Sequence, residues 1–274
     1  MKKQIMVSMV LAAVCCALAE SSPLEARIAE KYKILTSDTW GAGHRIIFDF
    51  NGRKGWVIEP ATPAPGRPWV WTMQWMGAFL ERTGAPDLVK RGYYHVHLAA
   101  YDTRANREGL LALADFQDYL VRELGFAPKA NLIGMSWGGF FSLRYAETFP
   151  NRVCAIYLDA PVCNAADPEP SAADRVKTIL DNCGISFEEM TTSKLNPLNN
   201  VEAIVDARIP LFAAVGQTDE SVALAANFDL LEKRILELGG SIKVIRRNYW
   251  GHHPHGLDDP EELLAFHCAA REQA

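Results

Sequence analysis

A serine set between glycines is the first residue in this sequence with the surroundings of a nucleophile. Ser136 stands in Gly134-Met135-Ser136-Trp137-Gly138, which follows a short apolar run that begins at Ala130. Small residues two positions to either side of the serine permit a tight strand-to-helix turn that projects the hydroxyl above the sheet. Apolar residues at helical spacing then continue to Pro150, which ends the pattern. We predict that Ser136 is a nucleophile; the alternative is a helix cap in an ordinary glycine-lined turn.

Groups that could activate this hydroxyl come later in the chain. A serine hydroxyl reacts poorly at neutral pH without a base, and the base needs a carboxylate to orient it. Asp219 follows a predicted strand at residues 209–215, and three histidines, His252, His253 and His255, follow the last predicted strand. Both segments lie at the carboxyl ends of strands, where open α/β sheets assemble their sites. The sequence therefore predicts that a base and an acid converge on the serine.

Other residues compete for these roles. Glu220 adjoins the candidate acid, and Asp159 also ends a predicted core strand, so either is an alternative acid. Asp219 has the alternative role of capping a helical segment that begins at Ser221. A metal site on His252 and His255 needs a third ligand that the sequence does not indicate, so we predict no metal.

The elements that position these groups alternate along the chain. Asn51-Gly52 joins two strand-like runs into a hairpin, and apolar runs then alternate with helical stripes up to a final helix that begins near Asp259. This order predicts an α/β fold: a mostly parallel, doubly wound sheet with helices on both faces and an opening hairpin. Residues 164–206 break the alternation with proline, serine and asparagine. We interpret them as a small cap or lid inserted between two core segments, residues 20–163 and 207–274.

The first 19 residues have the features of a signal peptide. Lys2 and Lys3 precede an apolar core, and Ala17-Leu18-Ala19 fits a cleavage site after Ala19. The apolar run is short for a membrane span, and the residues ahead of Cys16 suit lipid anchoring poorly. These features predict a secreted or periplasmic protein without stable membrane insertion after cleavage.

Charge and cysteine content bear on which binding partners and which cellular compartment are expected. The chain carries 28 basic and 33 acidic residues, for a net charge of −5; loss of Lys2 and Lys3 with the signal peptide would shift it to −7. An acidic surface argues against nucleic-acid binding. Four cysteines follow the signal segment, which in an exported chain indicates disulfides with three possible pairings. Cys163 and Cys183 are closest in sequence and lie in an irregular region, so we expect that bridge first.

Several segments together resemble the α/β-hydrolase-fold serine hydrolases, from about Arg45 onward. They are the Ser-x-Gly-Gly helix that ends at residues 149–153, the segment 216–222, and the Gly-His pair ahead of Asp-Pro at the final helix. The chain also resembles a subgroup of exported bacterial esterase-like proteins that share the Asp159-Ala160-Pro161-Val162-Cys163 and Gly-His-His-Pro-His runs. Members of that subgroup are often placed near carbohydrate esterases.

The resemblance implies a role for each site residue. Ser136 corresponds to the nucleophile, Asp219 to the acid, and His252, which follows a glycine as the family's base does, to the base; His253 and His255 are alternative bases. The backbone N–H of Trp137 corresponds to one oxyanion-hole donor. The His-Gly pair usual after the third strand is absent here, and Met73 is the best substitute for the second donor.

These observations lead to one main hypothesis and three alternatives. The main hypothesis is an exported serine esterase acting on a small-molecule or carbohydrate ester through an acyl-enzyme. The same groups could instead cleave amides or peptides; the fold could serve a non-catalytic binding protein; or the histidine run could serve a metal-dependent hydrolase. No organic cofactor is predicted, because the glycine pattern lacks the phosphate-binding lysine and the dinucleotide spacing. Tryptophans that could stack on a sugar or aryl ring lie in or beside the site segments: Trp69, Trp71, Trp75, Trp137 and Trp250.

Overall fold

A nine-stranded sheet forms the centre of the molecule in the computed structural model, which describes residues 22–272. The predicted signal peptide lies outside the described residues. The strands are β1 (Ile34–Trp40), β2 (Gly43–Phe50), β3 (Arg53–Pro60), β4 (Trp69–Thr72), β5 (Tyr94–Leu98), β6 (Ala130–Met135), β7 (Val153–Asp159), β8 (Leu211–Gly216) and β9 (Lys243–Arg247).

The sheet order is β1-β2-β3-β5-β4-β6-β7-β8-β9. The first three strands and the β3–β5 pair are antiparallel, and every later pair is parallel. The predicted fold class, a mostly parallel sheet with an opening hairpin, is therefore confirmed. The turn at Asn51-Gly52 joins β2 to β3, with both residues at positive φ, as such a two-residue hairpin requires. Strand β1, which the sequence did not predict, adds one antiparallel edge strand.

Ten α-helices accompany the strands in the described part of the chain. They are α1 (Pro23–Ala29), α2 (Leu80–Thr83), α3 (Ala85–Lys90), α4 (Arg107–Asp118), α5 (Trp137–Thr148), α6 (Ala173–Cys183), α7 (Phe187–Thr192), α8 (Glu202–Asp206), α9 (Phe228–Glu237) and α10 (Glu261–Glu272). Between residues 22 and 272, no helix combines the length and apolar character that crossing a bilayer requires.

Helices bury both faces of the central strands. In β6, Leu132 belongs to the core on one face and Ile133 to the core on the other, because successive strand residues point to opposite sides. Helices α4, α5 and α9 contribute apolar side chains to the first core, and α3 and α10 contribute them to the second. Burial on both faces explains why these strands read as continuous apolar runs in the sequence.

The segment 164–206 carries α6, α7 and α8. Its apolar side chains Ile179, Met190 and Ile204 join the core on the α5 side of the sheet. Asn196 donates to Asn164 Oδ1 at 3.0 Å within the segment, and Asn227, just before α9, accepts from the backbone N–H of Asn164 at 3.1 Å. The segment is thus attached to the core at its start; its action as a lid stays a prediction.

The predicted Cys163–Cys183 disulfide is not formed, and both residues carry free thiols. Cys163 is fully buried and its Sγ faces the Pro161 carbonyl at 3.4 Å, whereas Cys183 lies at the end of α6 and is half-buried. Closeness in sequence did not bring the two sulfur atoms together. Burial also raises the pKa of the Cys163 thiol, which keeps it protonated and unreactive.

Candidate active site

Ser136 occupies the turn between β6 and α5 in a strained backbone conformation. Its φ of 50° and ψ of −118° lie in a region that side-chain-bearing residues rarely adopt. Two backbone hydrogen bonds fix the turn: its N–H donates to the Asp159 carbonyl at 2.9 Å, and its carbonyl accepts from Val162 at 3.0 Å. Strain held in this way is typical of a functional residue.

Glycines make room for this turn. A Cβ on Gly134 would lie 2.6 Å from Ser142 Oγ, and one on Gly139 would lie 2.4 Å from Pro161 Cβ. Both distances are shorter than a van der Waals contact, so the strand and the helix can approach this closely only without those side chains. Gly134 of the motif and Gly139 beyond it therefore have a steric reason to be glycine, whereas a Cβ on Gly138 would lie no closer than 3.3 Å to another atom.

The side chains of Ser136, His252 and Asp219 form a continuous hydrogen-bonded chain. His252 Nε2 lies 2.9 Å from Ser136 Oγ, and His252 Nδ1 lies 2.7 Å from Asp219 Oδ2. Because a carboxylate only accepts, the network assigns the imidazole proton to Nδ1, and Nε2 then accepts from the serine hydroxyl. Ser136 makes no side-chain capping bond to α5, so the capping alternative does not describe this residue.

Asp219 is held as an ionised acceptor. Its Oδ1 accepts from the backbone N–H groups of Ser221 at 2.9 Å and Val222 at 2.8 Å, so it also caps this turn, as the alternative interpretation expected. Burial of the carboxyl opposes ionisation, but the hydrogen bonds from His252 and from these backbone groups outweigh it and lower the pKa of Asp219. Glu220, the neighbouring alternative acid, is exposed and lies outside this network.

The loops that carry Asp219 and His252 are joined by backbone hydrogen bonds. Thr218 N–H donates to the Trp250 carbonyl at 3.0 Å, and Gln217 N–H donates to the Arg247 carbonyl at 3.1 Å. A Cβ on Gly216 would lie 2.2 Å from the Trp250 carbonyl oxygen. The acid and the base are thereby held at a fixed separation by main-chain contacts.

The other predicted acid and base form a second, separate pair. His255 Nδ1 lies 2.6 Å from Asp159 Oδ1, and Asp159 Oδ2 accepts from the Tyr157 hydroxyl at 2.6 Å and the Gly256 N–H at 2.9 Å. Asp159 and His255 are both buried, and neither side chain contacts Ser136 Oγ. This pair ties the histidine loop to the end of β7.

The histidine run also presents the one cluster in residues 22–272 that could hold a metal ion. One ring nitrogen from each of His252, His253 and His255 lies within 4.8 Å of the other two. His253 is exposed and stacks on Phe79 with ring centroids 5.7 Å apart. A metal here would require His252 Nε2 to release Ser136, so metal binding and the serine–histidine hydrogen bond exclude each other.

The N–H groups available as candidate oxyanion-hole donors differ from the expectation at one position. The Met73 N–H, predicted as the second donor, is already bonded to the Ile133 carbonyl at 3.0 Å, because the β4–β6 ladder continues one residue past β4. The next N–H along the chain, that of Gln74, donates to no acceptor in the described chain, and its nitrogen lies 3.3 Å from where a Cβ of Gly138 would be. Beside the elbow, the N–H groups of Trp137, in the first turn of α5, and of Gln74 have no acceptor within residues 22–272. No sequence motif marked Gln74.

The tryptophans near the site have two different environments. Trp69 and Trp71 are completely buried in the core, whereas Trp75 is 43% exposed with a positive φ of 64°. Trp137 is half-buried beside the serine. Trp75 and Trp137 therefore lie where a substrate could reach them. Trp250 is also half-buried and packs against the side chains of Arg82 and Arg247.

Comparisons with known proteins agree with this architecture. A family model described as the alpha/beta hydrolase fold matches residues 83–180, and no curated protein matches the sequence. An S-formylglutathione hydrolase from Agrobacterium tumefaciens superposes with a TM-score of 0.60 at 16% identity, over 88% of this chain and 98% of that one.

Two peptidases share the fold as domains of longer chains. A Pyrococcus horikoshii acylaminoacyl peptidase gives a TM-score of 0.57 at 16% identity over 83% of this chain, and Porphyromonas gingivalis dipeptidyl peptidase 4 gives 0.57 at 14% over 88%. This chain covers only 39% and 35% of their lengths. Identities this low establish a shared fold and nothing about the reaction.

Proposed function

We propose that this chain, which has the α/β-hydrolase fold, is a serine hydrolase that cleaves carboxylic esters through an acyl-enzyme. The observation that carries the proposal is the unbroken contact from Ser136 Oγ through His252 to Asp219, at 2.9 Å and 2.7 Å, on a serine held at a φ of 50°. Ser136 is the nucleophile, His252 the general base and Asp219 the orienting acid.

The reaction follows from this geometry. His252 Nε2 takes the hydroxyl proton as Ser136 Oγ attacks the ester carbonyl, and the N–H groups of Trp137 and Gln74 donate to the developing oxyanion. His252 then gives the proton to the departing alcohol, which leaves an acyl group on Ser136. Water, deprotonated by His252, attacks that acyl group, and the acid is released as Ser136 regains its proton. Asp219, with its lowered pKa, stays ionised and stabilises the imidazolium formed in each half-reaction.

The proposal includes export and a small-molecule or carbohydrate ester as substrate. Export rests on the signal-like residues 1–19, and the carbohydrate ester rests on resemblance to exported esterase-like proteins. Residues 164–206 act as the cap over the carboxyl edge of the sheet.

Peptide or amide cleavage is the second candidate function. It is favoured by the two peptidases that share the fold. Ester cleavage is preferred because those peptidases are more than twice as long as the part that this chain matches, whereas the S-formylglutathione hydrolase is matched over 98% of its length.

Labelling with an active-site fluorophosphonate tests the nucleophile, with Ser136→Ala as the matched variant. We expect labelling of the native protein and none of the variant; equal labelling of both would overturn the assignment. Turnover of esters and amides with the same acyl group separates the two functions, because a higher kcat/KM for the amide would indicate a peptidase. A native protein that is neither labelled nor active on any member of the series would indicate a binding protein.

A further inference from the structure

We propose that Arg104, together with Trp75, Tyr101 and Trp137, binds the ring of an anionic substrate, so that the preferred esters carry a carboxylate on a sugar or aryl ring. We call these four residues the arginine–aromatic platform. The inference rests on the proposed function, since it specifies the substrate of the same site.

The platform lies on the same edge of the sheet as the nucleophile. Tyr101 and Arg104 belong to the loop after β5, Trp75 to the loop after β4, and Trp137 directly follows Ser136. Strands β5, β4 and β6 are parallel neighbours, so the loops at their carboxyl ends are adjacent. A substrate with its carbonyl at Ser136 would extend along these loops.

The aromatic rings form a continuous surface. Tyr101 has its ring centroid 5.2 Å from that of Trp75 and 5.6 Å from that of Trp137. Trp75 is exposed over 43% of its surface, and its one recorded aromatic contact is with Tyr101. An exposed ring supported from behind by a second ring is suited to stacking on a flat face of a sugar or an arene.

Arg104 brings a positive charge into this surface without a carboxylate to balance it. Its guanidinium carbon lies 3.9 Å from the centroid of Tyr101 and 5.3 Å from that of Trp137. Its Nη1 donates to the Tyr101 carbonyl, and its Nε is buried without a hydrogen-bond partner. Among residues 22–272 no carboxylate lies within ion-pair distance of Arg104, and nearby Asp102 is paired with Arg53 at 2.7 Å.

The backbone holds the guanidinium in this place. Arg104 and Ala105 have φ values of 47° and 53°, two consecutive non-glycine residues in the left-handed region, which is costly. A cation partly removed from water on aromatic faces gains most from an anion that it can bind through two parallel N–H groups. The chain as a whole is acidic, with a net charge of −5, so the attraction for an anion is local to this platform.

Ester pairs that differ at one charged group test the inference. The probes are 4-acetoxybenzoate against 4-acetoxybenzamide, and O-acetylated galacturonate against O-acetylated galactose, each followed by release of acetate. We expect the native kcat/KM to favour the anionic member of each pair by about tenfold or more, and the preference to weaken with salt. In Arg104→Gln the ratio should fall to near one, and Arg104→Lys should retain part of it.

Arg53→Gln is the matched control, because Arg53 is a cation on the neighbouring strand β3 that Asp102 already neutralises; it should keep the native ratio. An unchanged kcat/KM ratio in Arg104→Gln would contradict anion binding at the arginine–aromatic platform. A native ratio near one, with Ser136→Ala inactive, would contradict it too, and neither result would contradict the proposed serine hydrolase.

Calorimetry with 4-hydroxybenzoate and its methyl ester on Ser136→Ala gives the same comparison without turnover. An Arg104-dependent preference there would support the platform even if Ser136 proved not to be the nucleophile.

Discussion

Three histidines within four positions have three different surroundings. His252 bridges the serine and a carboxylate, His255 is bonded to Asp159 in the protein interior, and His253 is exposed against Phe79. Only the first has a ring nitrogen in contact with Ser136 Oγ. Their chemical roles therefore follow from the contacts of each ring, although the three side chains are identical.

Substitution of single histidines tests this separation. We expect His252→Ala to lower kcat by about 10³-fold or more, since the serine loses its base. His253→Ala should stay within about threefold of the native protein, because its ring contacts no other site group through a hydrogen bond. The measurement is kcat of both variants and the native protein on the same acyl ester. Comparable losses in the two variants would contradict the assignment of His252 as the base.

Zinc should inhibit the enzyme through the same three rings. Their centroids are 4.7–4.9 Å apart, and one ring nitrogen of each lies within 4.8 Å of the other two, so small side-chain movements would bring all three to a tetrahedral zinc ion. Asp219 and Asp159 hold the Nδ1 atoms of His252 and His255, which leaves each Nε2 for the metal, as carboxylates do around protein-bound zinc.

We expect Zn²⁺ to block turnover, because it would bind His252 Nε2 in place of the Ser136 hydroxyl. EDTA should remove the zinc and restore activity. The inhibition constant in His253→Ala should be weaker by about tenfold or more, because one of three ligands is lost. Inhibition curves for the native protein and the variant provide the measurement. Identical curves would show that zinc acts elsewhere.

Patterns of neighbouring residues predicted Ser136 and left several candidate acids and bases open. The family resemblance pointed to Asp219 and His252, and the structure brings these three side chains into one hydrogen-bonded chain. Ser136 stands in a steric motif, and Asp219 and His252 follow strands whose ends share an edge. Gln74 could not be selected, because its free N–H depends on how far the β4–β6 ladder extends. The Asp159–His255 pair joins residues 96 positions apart, and no local pattern encodes such a contact.

At the scale of elements, the elbow depends on how closely α5 approaches the end of β7. Gly139 lies in the first turn of α5, against Pro161. Gly139→Ala would gain up to about 1 kcal/mol of helix propensity. The added methyl would however lie 2.4 Å from Pro161 Cβ, and such overpacking costs about 1–3 kcal/mol. We expect the steric cost to dominate, and the free energy of unfolding to fall.

Gly77→Ala is the matched control, because a Cβ there meets nothing within 4 Å and should change stability by less than about 0.5 kcal/mol. Urea unfolding of both variants gives the comparison. A Gly139→Ala protein as stable as the native one would show that the helix can shift away from β7.

The sequence predicted best those strands whose apolar residues form a single uninterrupted run. The buried run that begins at Ala130 is observed as β6, and the strand predicted at residues 209–215 is observed as β8, Leu211–Gly216. Strand β1 was missed because its residues are mostly exposed or half-buried at the sheet edge, so no hydrophobic alternation marks it. The predicted Cys163–Cys183 disulfide was wrong for another reason. A disulfide needs two sulfur atoms that face each other, and the sequence of an irregular segment does not determine where its cysteines lie.

At the scale of the whole molecule, buried histidines make stability depend on pH. Burial lowers the pKa of His95 and His267 to about 3 and that of His97 to about 4, from 6.5. The unfolded chain therefore binds more protons than the folded one once the pH falls below about 6.5, and stability is lost from there down towards the folded values. Each histidine adds up to about 1.4 kcal/mol per pH unit to that loss.

Urea unfolding at pH 7, 6 and 5 measures this dependence. We expect stability to fall at each step, and His267→Leu to reduce the slope by up to about 1.4 kcal/mol per pH unit. His267 suits the test because its Nε2 has no hydrogen-bond partner. Equal slopes in the two proteins would mean that this ring is already protonated in the folded state.

Ser136 and His252, the proposed nucleophile and base, lie 116 positions apart in the chain. A ribosome makes the elbow first and the base only after β8 and β9, so a nascent polypeptide carries its hydroxyl for almost half of its synthesis without a proton acceptor. His252 follows β9 in the chain, so we expect its ring to reach the Ser136 hydroxyl only after that strand has joined the sheet. If the chain is the proposed serine hydrolase, recovery of its activity after denaturation should lag behind the return of secondary structure.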